Sequence, residues 1–206
     1  MVNVHNYTLQ GSTKSCARSS LRILRPVKHT LGNDMNIELR KQLGDIPKEE
    51  HTKQQIALSD LKNHYVHSIN VIDSSHLFHE WGTYNCFEYA LRLTNSSDYV
   101  EIKKQHVFAN SEFIQYLIIN NLISKAQDNG LIIYFNDEQK PTHAGIFENH
   151  RVLSKWGTGL VFDHEIFEAP FSYGSQYRIY ETVESATMIE YFFDYAELHG
   201  IKFYYE

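Results

Sequence analysis

Residues 142–157 read THAGIFENHRVLSKWG. The stretch divides into two β-branched and aromatic runs, HAGIF and RVLSK, with Asn149-His150 between them, the pattern of two strands joined by a tight turn. Upstream, Gly130 precedes LIIYF (131–135), a short apolar run with the character of a buried strand. Downstream, GLVFDH (159–164) and SQYRIYET (175–182) supply two more strand candidates. Helices flank this block. One follows Asn110 or Ser111, with Phe113, Tyr116 and Leu117 on one face. Another spans ESATMIEYFFDYAELHG (184–200), with Met188, Phe192, Tyr195 and Ala196 on one face and Gly200 as its stop. Helices first, then a run of strands, then a closing helix predict an α+β domain built on a mainly antiparallel sheet.

The amino-terminal third is less patterned. GSTKSCARSS (11–20) is small and polar, hence a loop or loosely held arm, and LRILRPVKH (21–29) sets Arg22, Arg25 and Lys28 around a proline as a solvated basic strip. NDMNIELRKQLG (33–44) reads as a helix closed by Gly44, and EEHTKQQIALSDLKNHY (49–65) as a second, polar helix. Residues 1–72 are therefore expected to form an extension or helical cap, and residues 73–206 the main domain.

The 206 residues are 42% hydrophobic, and 14 Tyr and 12 Phe make the expected core aromatic. A formal net charge of −6 gives no electrostatic reason to bind nucleic acid. The two cysteines, Cys16 and Cys86, form no disulfide framework, which fits a reducing compartment. MVNVHNYTLQGSTKS has no basic segment followed by an apolar run, so no signal peptide is read. The longest apolar stretch, FIQYLIINNLI (113–123), is too short and too interrupted to span a bilayer. The expectation is a soluble protein made in the cytoplasm, open to delivery elsewhere by a dedicated secretion machine. HYVH (64–67) and HLFHE (76–80) carry histidines three residues apart, but neither is H-E-x-x-H and no C-x-x-C accompanies them, so no metal or other cofactor is expected.

Chemistry concentrates in YNCFEYALRL (84–93). Asn85 as N-cap and Glu88 three residues on form a capping box, and the helix is expected to run to about Leu93 before TNSSD breaks it. Cys86 is then the first helical residue, where free backbone N–H groups and the helix dipole favour a thiolate, while the nearby Glu88 opposes it. The alternative is a small buried hydrophobe. His143 opens a strand directly after EQKPT, and its small neighbours Ala144 and Gly145 leave room beside the imidazole, as a general base for a helix-borne thiol requires. Its alternative is a surface histidine ending a loop. Trp156, beside the glycines of SKWGTGL, is either a cleft wall or a core residue.

A Cys opening a helix, then LIIYF, HAGIF, a turn and RVLSK together resemble the NlpC-type branch of the papain-like cysteine hydrolases, from Gly82 to about Tyr180. NCFEYAL, HAGIF and VLSKWG also resemble an uncharacterised bacterial group with N-C-x-x-x-A-L and S-K-x-G patterns. The first resemblance implies Cys86 as nucleophile, His143 as base and an orienting residue at or near Ser154. The family usually has His, Asn, Gln or an acid at that last position; Asp163 or His164 are the alternatives here. Tyr84 and Glu80 are the side chains nearest an oxyanion pocket. The implied function is cleavage or rearrangement of an amide bond in a peptide, a protein or a small molecule, with an effector or toxin role by analogy. The competing reading is a diverged fold that binds a partner and catalyses nothing.

Overall fold

The hairpin expected at Asn149-His150 is present in the computed structural model, which describes residues 33–72, 84–157 and 159–202. Strands β3 (Pro141–Glu148) and β4 (Arg151–Lys155) pair antiparallel through Ile146–Leu153, Phe147–Val152 and Glu148–Arg151. Both turn residues have positive φ, 52° at Asn149 and 62° at His150, as a type I′ turn requires. The other strands are β1 (Asn70–Val71), β2 (Gly130–Phe135), β5 (Val161–His164) and β6 (Gln176–Tyr180). They complete one six-stranded sheet in the order β1-β5-β4-β3-β2-β6, antiparallel throughout.

Both faces of this sheet are covered. All six residues of β2 are buried, which explains why LIIYF is apolar without alternation. One face presents Leu131, Ile133, Phe135, Ala144 and Tyr180 to the helices α3 (Cys86–Ala90), α4 (Ser97–Lys103), α5 (Ser111–Ile119) and α6 (Ser185–Leu198). The four apolar residues expected on the inner face of α6, Met188, Phe192, Tyr195 and Ala196, are all buried there. On the opposite face, Ile132, Tyr134, Phe147 and Val152 form one cluster. Beside it, Trp156 and Phe162 pack with Leu39 and Leu43 of α1 (Asn33–Leu43), with Ile46, and with Leu58 of α2 (His51–Leu61). Among the described residues no helix is long and apolar enough to cross a membrane.

Three local features differ from the sequence reading. The Cys86 helix ends at Ala90, not near Leu93, because Arg92 takes a left-handed conformation (φ 57°). The serines of TNSSD do not simply break structure: Ser96 accepts a hydrogen bond from the Tyr99 N–H and so starts α4. The two-residue strand β1 is too short to leave a pattern in the sequence.

Candidate functional site

Asn85 fixes the start of α3. Its Oδ1 accepts the Phe87 and Glu88 N–H groups at 2.8 and 3.0 Å, and its Nδ2 donates to the Ala109 carbonyl at 2.9 Å. Glu88 Oε2 accepts the Asn85 N–H at 2.6 Å and completes the capping box. The other Glu88 oxygen, 2.6 Å from Lys103 Nζ, also accepts the Tyr99 hydroxyl at 2.7 Å, so a fully hydrogen-bonded carboxylate lies buried beside the thiol.

Helix α3 packs on β3 and β4 and brings Cys86 against Ala144. Burial pushes the thiol up to about 12, and Glu88 adds to the rise; nearby backbone N–H groups, that of Ala144 first, favour the thiolate without offsetting it. This reverses the sequence expectation of a readily ionised thiol. A helix of five residues supplies little dipole, and Cys86 is half-buried against the helical core.

His143 is buried, and strand alternation turns it toward the face opposite Ala144. Its ring stacks on Tyr173 at a centroid distance of 3.8 Å and lies 5.7 Å from that of Tyr134. Nε2 is buried with no hydrogen-bond partner, and no hydrogen bond joins His143 to Cys86. Burial, followed by the nearby His164, holds the imidazole well below its ordinary range, so it is neutral.

Ser154 orients a histidine, but that histidine is His164. The hydroxyl is 2.8 Å from His164 Nε2, and its oxygen accepts the Trp156 indole N–H at 3.1 Å. His164 Nδ1 lies 2.7 Å from the Glu165 carbonyl, which can only accept. Nδ1 therefore carries the proton, and Nε2 accepts from Ser154. Asp163 is engaged on the other side of β5, accepting from Arg151 Nε at 2.8 Å. Trp156 is fully buried, a core residue. Glu80, Cys16, the 21–29 strip and the 76–80 histidines lie outside the described residues.

Two groups escaped the sequence reading. Lys155 is only 4% exposed. Continuing the β3–β4 register by two residues sets it opposite Ala144, on the α3 side of the sheet. Its Nζ lies 4.2 Å over the Tyr84 ring centroid and donates to the Gly159 carbonyl. Burial pushes the ammonium down to about 8, while the charges of Glu88 and Cys86 pull it back up. Tyr173 joins the two halves of the site: its ring covers His143, its Oη accepts the Gly157 N–H at 3.1 Å, and Cys86 lies within electrostatic reach of its hydroxyl. The signals were present as Ser-Lys at the end of a strand, two polar residues facing opposite ways, and as an aromatic between Pro170 and Gly174. Among the described residues no three His, Cys, Asp or Glu side chains gather to hold a metal.

A family model described as "Domain of unknown function (DUF7689)" matches residues 78–181, half of the chain. The chain belongs to the DUF7689 family. The matched stretch runs from before α3 to the end of β6 and holds Cys86, His143, Ser154, Lys155 and Tyr173. No curated protein and no solved structure matches the chain.

Proposed function

We propose that this DUF7689 chain is a cysteine-dependent hydrolase or acyl transferase of papain-like, NlpC-type architecture, acting at an amide bond through Cys86. The observation that carries the reading is the setting of the Cys86 sulfur. It sits at the first position of a capped helix packed on an antiparallel sheet, against Ala144 of β3, whose backbone N–H favours the thiolate. Donors that steady a thiolate also suit the oxyanion of an acyl intermediate. His143 would serve as base, as the resemblance implies, only once Tyr173 has left its ring. The substrate class is a peptide, a protein or a small amide, and an effector or toxin role remains an analogy to the resembling family.

A second reading, a fold that binds a partner without catalysis, draws on a thiol that resists ionisation and on the neutral His143 covered by Tyr173. The deciding experiment treats folded protein with a peptide-like acyl electrophile and locates the adduct by peptide mapping. The hydrolase reading expects modification at Cys86, with Cys16 as the internal control. Modification of Cys86 only after denaturation, with Cys16 reacting throughout, selects the binding module.

A further inference from the structure

We propose that residues Pro170–Gly174 form an autoinhibitory strap, latched by Arg40 of α1, whose opening uncovers the His143 imidazole. The proposal rests on the reading of His143 as base and deepens it by naming the regulation of that residue.

The starting observation is a nitrogen without a partner. His143 is 1% exposed, and its Nε2 is buried with no hydrogen bond. A buried polar atom in that state is costly, and it recovers a partner once water or a substrate reaches it. The Tyr173 ring covers the imidazole, stacked at 3.8 Å between centroids with the planes 12° apart. Tyr173 is itself half-buried, and the strap residues before it, Phe171 and Ser172, are exposed. The strap thus lies at the surface, with His143 beneath it.

The anchors of the strap are hydrogen bonds from other elements. Arg40 donates from α1 to the carbonyls of Pro170, at 3.4 Å, and Gly174. Thr142 donates from β3 to the Tyr173 carbonyl at 2.6 Å, and the Tyr173 Oη accepts the Gly157 N–H at 3.1 Å. Each bond can exchange its protein partner for water, so the set can open without unpacking the sheet. The strap ends at Gly174, whose φ of 117° is one that side chains rarely adopt. A Cβ there would collide with the Phe135 carbonyl oxygen. Glycine lets the closed strap lie against β2 and leaves the backbone free to turn at the point where it would swing. His164 is equally buried but is held by Ser154 and the Glu165 carbonyl. It therefore reports opening of the sheet, where His143 reports opening of the strap.

The test treats full-length protein with diethyl pyrocarbonate, which modifies neutral imidazole, and follows His143 and His164 separately by peptide mapping. In the wild type His143 should react before His164, at a rate that urea below the unfolding transition leaves unchanged, as a local opening requires. Thr142→Val removes one anchor and should raise the His143 rate about fivefold, the worth of one hydrogen bond. Arg40→Met should raise the His143 rate more than the His164 rate. Tyr173→Ala removes the cover and should raise the His143 rate at least about tenfold, with His164 still protected. If Tyr173→Ala fails to fold, the wild-type urea series and Thr142→Val decide. His143 and His164 reacting together with one urea dependence, or a His143 rate indifferent to Tyr173→Ala, overturns the strap. Equal acceleration of both histidines in Arg40→Met overturns the latch. The acyl electrophile separates these results from the hydrolase reading. Cys86 acylated in the wild type while His143 stays as protected as His164 overturns the strap and leaves that reading standing. A strap that opens, with Cys86 still unmodified in folded Tyr173→Ala, overturns the hydrolase reading, and the regulatory role falls with it.

Discussion

Ser154 shows how a single hydroxyl can be bound to structure while resembling a catalytic part. Its oxygen sits between a histidine nitrogen that accepts and an indole N–H that donates, all three buried. Ser154→Ala strips both groups of their partner, and two buried unsatisfied polar atoms cost about 2–4 kcal/mol. Urea unfolding should report that loss. Cys86 alkylation in the folded variant should stay within about twofold of wild type, because Ser154 faces away from α3; a large drop in labelling with unchanged stability would restore the orienting role that the family resemblance implies. His164 makes the same cluster sensitive to acid. Burial holds its imidazole at about 4, against an ordinary value of 6.5. The unfolded chain therefore binds the proton first as pH falls, so the stabilisation is complete above about 6.5 and is lost toward 4. The shift is equivalent to about 3 kcal/mol. Urea midpoints from pH 7 to pH 4 should fall more steeply for wild type than for His164→Gln, and parallel curves would show that His164 is not the titrating group.

Between neighbouring strands, one glycine sets how closely β4 approaches β3. A Cβ at Gly145 would lie 2.8 Å from the Leu153 carbonyl oxygen and 2.9 Å from both Ser154 Cβ and Val152 Cγ1. The sequence reading took the small residues after His143 as room beside the imidazole; at Gly145 that room is filled by β4. Gly145→Ala should cost about 1–3 kcal/mol by overpacking, seen as a lower thermal midpoint. A neutral substitution would mean that the hairpin shifts freely. The same contrast explains what the sequence could reveal. Strand runs, the turn at Asn149-His150 and the inner face of α6 were legible because each is a local pattern of period or turn chemistry. Cys86 and His143 were legible as residue types in a suggestive order. Their orientation was not, because alternation along β3 turns His143 and Ala144 to opposite faces, and only the packed sheet decides which face α3 covers. Lys155 was hidden for the same reason: its meaning comes from lying across from Ala144, eleven residues away in sequence.

Across the molecule, Arg40 ties the amino-terminal helices to the site. It is 5% exposed, and its guanidinium donates to the carbonyls of Ala169 (3.0 Å), Pro170 (3.4 Å) and Gly174. It also lies 5.4 Å from the ring centroids of both Phe167 and Phe171. The loop so gripped carries Tyr173, whose ring covers His143 and whose Oη accepts the Gly157 N–H. A helix of the amino-terminal third thus sets the conformation of a residue touching the candidate site, which a lysine could not reproduce with its single head group. Arg40→Met should lower global stability by about 2–4 kcal/mol through lost charge-assisted hydrogen bonds. The specific consequence is local. Hydrogen exchange at the Gly157 amide should accelerate by at least about tenfold more than exchange at the β2 amides, because Tyr173 is released before the sheet opens. Equal acceleration at both places would make Arg40 a global prop only. An unchanged Gly157 amide would mean that the Thr142 hydroxyl, which donates to the Tyr173 carbonyl at 2.6 Å, holds the loop without Arg40.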